Sequence, residues 1–228
     1  MSVASLLLLA DGRFPDGAHA HSHGLEAAID AGRVRGPESL ADYVLCRLWT
    51  TGRTDAAAAR LAAAGVEPDA LDAAWCVRTP SAVSRATARS LGRSLARTAA
   101  RMVPDHPIAL SDRRPPVQPV ALGMVAAAIG CDPGEAAMAS AHGTAATLSA
   151  AGLRLLSLDP FDVTAMLHRL RPAVQGVVRS TVGLVDVADP LGERVSERDV
   201  PDLPHASTTL AEVDVEHQAV LPGRLFRS

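Results

Sequence analysis

The stretch Ser81-Ala82-Val83-Ser84-Arg85-Ala86-Thr87-Ala88-Arg89-Ser90-Leu91-Gly92-Arg93-Ser94-Leu95-Ala96-Arg97-Thr98-Ala99-Ala100-Arg101-Met102 decides the fold. Arg85, Arg89, Arg93, Arg97 and Arg101 recur at spacing four, and no acidic residue lies between Asp72 and Asp105. On an α-helix each step of four turns the position by about 40°. The five arginines therefore form a stripe that spirals slowly around one long helix over 81–102, which stops before Pro104. Neighbouring like charges at this spacing cost a few tenths of a kcal/mol per pair, roughly, so something acidic is expected to offset them. Gly92 inside the helix costs roughly 1 kcal/mol relative to alanine, which a close helix–helix crossing there would justify. Three readings of the stripe stay open. It is a solvated face or pairs with the acidic C-terminal segment, or it docks an acidic partner protein, or it binds nucleic acid. The last is disfavoured by a net charge of −3 and an aromatic content of 3%.

Outward from this helix the pattern persists. The chain is 48% hydrophobic with few aromatics, and alanine and leucine supply most of the apolar surface, which favours close-packed helices over strands. Helices are predicted at 3–10, from near Gly24 to Gly32, from Pro37 to about Thr51, and at 54–64 and 68–77. Five prolines in 103–119 mark a loop. Helices resume at 120–129, 133–151 and 161–187, the last with a break or kink at Pro172. No sustained period-two alternation appears. The expectation is an all-α, single-domain bundle of roughly eight to ten helices over 1–228, with a partly mobile C-terminal tail. Residues 186–216 hold nine acids against Arg194 and Arg198 and are expected to be mobile in the free chain. They lead to Arg224-Leu225-Phe226-Arg227-Ser228, an apolar end between arginines that reads as a docking tail.

The inventory excludes some chemistry. The chain has no lysine, and all 22 basic residues are arginine. It therefore offers no phosphate-loop lysine and no Schiff-base lysine. Cys46, Cys76 and Cys131 show no CxxC spacing, and Cys46 and Cys131 sit in apolar helical patterns that predict burial. Leu6 to Leu9 follow no basic residue and form too short a run for a signal peptide or membrane span, so a soluble cytoplasmic protein is expected.

Phe14-Pro15-Asp16-Gly17-Ala18-His19-Ala20-His21-Ser22-His23-Gly24-Leu25-Glu26 packs turn formers, three alternating histidines and a helix start into thirteen residues. If extended, it aims His19, His21 and His23 the same way, and neutral imidazoles on one face suit zinc, copper or nickel. Glu26 could add an oxygen. The bland reading is a turn whose histidines are exposed or hydrogen-bonded to backbone. No serine-centred elbow and no H-E-x-x-H motif is present.

Read in order, several segments carry a family resemblance. Leu7-Leu8-Leu9-Ala10-Asp11, Phe14-Pro15-x-Gly17 and Ala20-His21-Ser22-x-Gly24-Leu25-Glu26 resemble the opening of the urease accessory protein UreF family. Ser84-Arg85 followed by Gly92-Arg93 and Leu95 is similar to its serine-arginine and glycine-arginine helix. Pro119-Val120-Ala121-Leu122-Gly123, Ala150-Ala151-Gly152-Leu153-Arg154-Leu155 and the terminal Arg224-Leu225-Phe226-Arg227-Ser228 resemble later signatures. The chain departs from the pattern at Val117-Gln118, where the family often has a histidine, and at Leu221-Pro222-Gly223, where a tyrosine is usual.

The resemblance implies a non-catalytic, all-helical factor for urease maturation. Such a protein pairs with the accessory protein UreD (also called UreH), recruits the GTPase UreG, and takes part in nickel delivery to apo-urease. It also implies a homodimer, with no intrinsic cofactor and neither nucleic acid nor membrane as partner. The partner-binding residues so marked are Phe14, Pro15, Gly17, His21, Ser22, Gly24, Glu26, Arg85, Gly92, Arg93, Arg154, Arg224 and Phe226. His21 and Glu26 are candidates for transient nickel contact, without a tight site. The tail is expected to order on partner binding, with Arg224 donating to backbone carbonyls or a carboxylate. Two other classes remain as alternatives. One is a metalloenzyme on the His19/His21/His23 loop, with ligands from His106, His142 or His168. The other is a helical DNA-binding regulator using the arginine helix.

Overall fold

Four consecutive alanines, Ala56 to Ala59, have no exposed surface, and the helix that carries them is the axis of the molecule. The computed structural model describes residues 3–110, 115–184, 203–206 and 208–226. Ten α-helices occur among them, and no strand. They are α1 (Val3–Ala10), α2 (Leu25–Asp30), α3 (Pro37–Arg47), α4 (Arg53–Ala63), α5 (Pro68–Val77), α6 (Ala82–Met102), α7 (Gln118–Ala128), α8 (Pro133–Leu155), α9 (Pro160–Arg179) and α10 (Thr209–Val220). Single 3-10 turns stand at Ala18–Ala20 and Pro107–Leu110.

Helix α4 packs between α7 and α8. Small residues make this possible: a Cβ on Gly123 of α7 would lie 2.3 Å from the Ala59 carbonyl oxygen. Around this axis α3, α8 and α9 enclose one apolar cluster, including Leu40, Val44, Leu148 and Met166. Start signals explain the boundaries. Proline stands in the first turn of α3, α5, α7, α8 and α9, where its missing N–H has no helical partner to lose. Asp132 and Glu135 exchange side chain to backbone bonds of 2.8 Å at the start of α8, a reciprocal cap.

Several expectations are corrected. The helices expected over 37–51 and 54–64 are not separated by a loop. A π turn, Leu48–Gly52, joins α3 to α4 without a break, and Thr50 Oγ1 donates to the Cys46 carbonyl at 2.8 Å. Of the break or kink expected at Pro172, the break does not occur: α9 runs on through it, and the carbonyl it strands, that of His168, accepts from Arg171 Nε at 3.3 Å. That helix closes at Arg179, while residues 185–187, also expected to be helical, lie outside the described residues. Cys46 is exposed; only Cys131 is buried as expected. The close approach at Gly92 is to loop backbone: a Cβ there would sit 1.9 Å from the Pro116 carbonyl oxygen, just before α7.

The largest correction is at the C-terminus. Part of the acidic segment expected to be mobile forms α10, which packs on α2 and α6. Glu212 and Asp214 are buried, and Asp214 pairs with Arg33. Glu216 Oε1 accepts from Ser81 Oγ at 2.6 Å and Val83 N at 3.1 Å, placing a carboxylate at the positive end of the α6 dipole. The remainder of that segment, 186–202, lies outside the described residues.

Candidate functional site

The turn from Asp11 to Glu26 wedges into the bundle by Phe14. Phe14, 8% exposed, packs with Leu95 and Ala99 of α6 and Leu122 and Val125 of α7. Thr98 Oγ1 donates to the Pro15 carbonyl at 3.1 Å, and Asp16 Oδ1 accepts from Ala18 N at 2.8 Å. Pro15 itself is exposed and Gly17 half-buried. Gly17 at φ 85° and Gly24 at φ 89° occupy the left-handed region, where a side chain is strained. At Gly24 there is a second reason: a Cβ would lie 3.0 Å from the Val215 backbone nitrogen, so α10 approaches the turn as closely as a glycine allows.

The three histidines do not all share a face: the His21 and His23 rings lie near each other, centroids 6.2 Å apart and tilted by 39°, while His19 stands away. His19 is exposed in the 3-10 turn, His21 is buried with its backbone N–H donating to the Ala18 carbonyl at 3.0 Å, and His23 is half-buried at φ 50°. Burial, with the Arg47 charge second, pushes His23 down to about 3, so its imidazole is neutral at physiological pH. The extended geometry that would aim three imidazoles one way is thus not formed. Among the described residues no group of three His, Cys, Asp or Glu side chains converges to hold a metal ion.

The tail closes over this turn. Glu26, in the first turn of α2, accepts from Leu225 N at 2.7 Å and Phe226 N at 3.0 Å. Arg224 Nη1 donates to the Gln218 carbonyl at 2.9 Å, and Gln218 Oε1 accepts from the buried Ser22 hydroxyl at 2.9 Å. Phe226 is 3% exposed, and the Arg154 guanidinium lies 4.5 Å from its ring centroid, within cation–π range. Arg154 Nη1 also donates to the His19 carbonyl at 3.4 Å. His21, Ser22, Gly24, Glu26, Arg154, Arg224 and Phe226, spread over 200 residues of chain, are thereby brought together with Phe14, Pro15 and Gly17. The tail, through Phe226, is docked on its own chain.

Arg85, Gly92 and Arg93 stand apart, on α6. Arg85 Nη1 donates to the Thr79 and Pro80 carbonyls at 2.6 and 2.7 Å. Arg89 pairs with the buried Asp72, which also accepts from Val117 N at 2.8 Å. The stripe therefore divides. Its first two arginines fasten α6 to the loop before it and to α5, while Arg93, Arg97 and Arg101 are exposed. Arg33, Asp214 and Gln218 were missed from the sequence. Their one signal is the helical spacing of Ala211, Asp214, Val215 and Gln218, which a dense acidic background hides.

These features define an all-α protein whose chain-opening turn is held shut by its own C-terminal tail, with an exposed arginine face beside it. A UreF family model matches residues 34–171. A urease accessory protein UreF from Mycobacterium sp. (strain JLS) is 37% identical over 206 residues, covering 88% of this chain and 97% of that protein. The proteins of the same name from Mycobacterium tuberculosis (strain ATCC 25177 / H37Ra) and Mycobacterium marinum (strain ATCC BAA-535 / M) are 37% and 35% identical, each covering 86% of this chain. The chain belongs to the UreF family.

Proposed function

We propose that this chain is a urease maturation factor that works by holding other subunits in place, and that bond-making belongs to its partners. In this reading it binds the accessory protein UreD/UreH, recruits the GTPase UreG, and takes part in nickel insertion into apo-urease in the cytoplasm, as a homodimer. The observation that carries the reading is the clamp of Glu26, Arg154 and Phe226. It couples the opening turn to the C-terminus, so a partner that grips either one senses both. Exposed Pro15 and Arg224 supply contact surface beside it, and exposed Arg93 supplies a further contact on α6. The residue inventory agrees with a division of labour, since a chain without lysine has no phosphate-loop lysine for GTP hydrolysis. His21 and Glu26 line a transient nickel route only when the tail lifts, because Glu26 is otherwise engaged by the two tail amides.

Co-purification with the two other accessory proteins, followed by nickel activation of apo-urease, tests this. Deleting 224–228, or the milder Glu26→Ala, lowers partner affinity and activation by about tenfold or more, as loss of an interface anchor does. Activation unchanged in both variants would sink the reading.

A further inference from the structure

Beneath the opening turn lie two partly open cavities of about 90 and 60 Å³. Both are lined by His23, Arg47, Thr51, Asp55, Leu91 and Gln118, so they meet across Arg47 and Asp55. Arg47 ends α3 where the π turn begins. It is only 6% exposed, and among the described residues no acceptor lies within hydrogen-bond reach of its buried Nη1. A guanidinium carries five N–H donors and does not give up its proton. Leaving a charged donor buried and unpartnered costs more than folding normally tolerates. Asp55 faces the same space but is engaged by Trp75 Nε1 at 2.6 Å, and burial pushes its carboxyl up to about 6.

We propose that this double cavity is a binding site for one small monovalent anion, a halide or a planar oxyanion of the size of nitrate or formate, with the Arg47 guanidinium as its principal donor. The Thr51 hydroxyl and Gln118 amide in the wall can supply further donors. The space reached by water-sized groups, about 90 Å³, is ample for such an anion, and its donors cluster around one guanidinium, which suits a small ligand. The charged and titratable groups around Arg47 and Asp55 include His23 and Asp16 from the opening turn, Tyr43 from α3, Asp55 itself from α4, and Glu212 and Asp214 from α10. Of these, Asp55 and Asp16 share the cavity wall and oppose an anion, as does the charge of Glu212 behind Asp55, while Asp214 is paired with Arg33. Because His23, Asp16 and Phe14 all line the space, an occupant ties the opening turn to α3 and α8. The inference does not depend on the role in urease maturation.

The test uses the full chain at pH 7 and constant ionic strength, exchanging an impermeant large anion such as benzoate for nitrate or formate. Saturable one-to-one heat in calorimetry is expected with nitrate and formate but not benzoate. The melting temperature should rise by about 3–6 °C for each tenfold concentration above Kd. Arg47→Met should abolish both responses, and Asp55→Asn should tighten binding severalfold by removing the opposing carboxylate. Identical responses in wild type and Arg47→Met would overturn the site, because a general salt effect on burial would then suffice. If Arg47→Met does not fold, the wild type and Asp55→Asn decide. Heat that is absent, unsaturable or indifferent to anion size means that water alone fills the cavity, and the proposal fails.

Discussion

At the scale of single residues, two glycines and one carboxylate make opposite demands. Gly92 has no room for a methyl group against the Pro116 carbonyl, whereas nothing lies within 4 Å of a Cβ on Gly143 in the middle of α8. Gly92→Ala should therefore destabilise by about 1–3 kcal/mol through overpacking. Gly143→Ala should stabilise by about 0.5–1 kcal/mol by restricting the unfolded chain. Urea unfolding of both variants checks the opposite signs. Asp55 and His23 set a pH dependence. Asp55 is raised from 3.8 to about 6, so between those values the folded chain holds a proton that the unfolded chain has lost, and stability falls as pH rises. His23 is lowered from 6.5 to about 3, so the unfolded chain binds the extra proton there and stability rises with pH. The two slopes oppose each other over the shared window. Asp55→Asn removes one and keeps the acceptor for Trp75. Relative to wild type, its stability should climb by about 1.4 kcal/mol per unit between pH 4 and 6. Parallel profiles in denaturant titrations would refute this.

At the scale of elements, the tail and α10 are fastened by a few polar contacts and one ring. Glu26→Ala deletes the acceptor of two backbone amides. A hydrogen bond to a charged group contributes about 1.5–3 kcal/mol, but a terminal segment can lift away without opening the bundle. The expected outcome is loss of exchange protection at Leu225 and Phe226 with little change at Leu148 or Met166 in the core, read by amide hydrogen exchange. Glu26→Gln should retain part of the protection. The arginine helix shows how far an element is legible in sequence. Its length and stripe follow from spacing alone, yet the offsetting carboxylates, Asp72 and Glu216, come from before the helix and from 131 residues beyond Arg85, where no local pattern points to them.

For the whole molecule, the proposed homodimer has a direct check. Light scattering on the purified chain should return about twice its 23.6 kDa mass. A monomer at all concentrations would remove that part of the proposal. No described helix is long and apolar enough to cross a membrane. The order of helices and nearly all their starts were readable in the sequence, because Pro, Gly and Asp at helix ends act within a turn or two of themselves. The all-α class followed from alanine content and the absence of alternation, and the family followed from short motifs in order. What tertiary structure alone decided is which distant groups meet. It decided that α10 folds within an acidic stretch, because Asp214 finds Arg33 and Glu216 finds the start of α6. It also decided that His19 parts from His21 and His23, that the tail lies on its own chain, and that Arg47 lines a cavity. Local propensity acts over a few residues and is written in the chain. Burial and pairing across a hundred residues or more depend on how the helices pack, and exist only once they have.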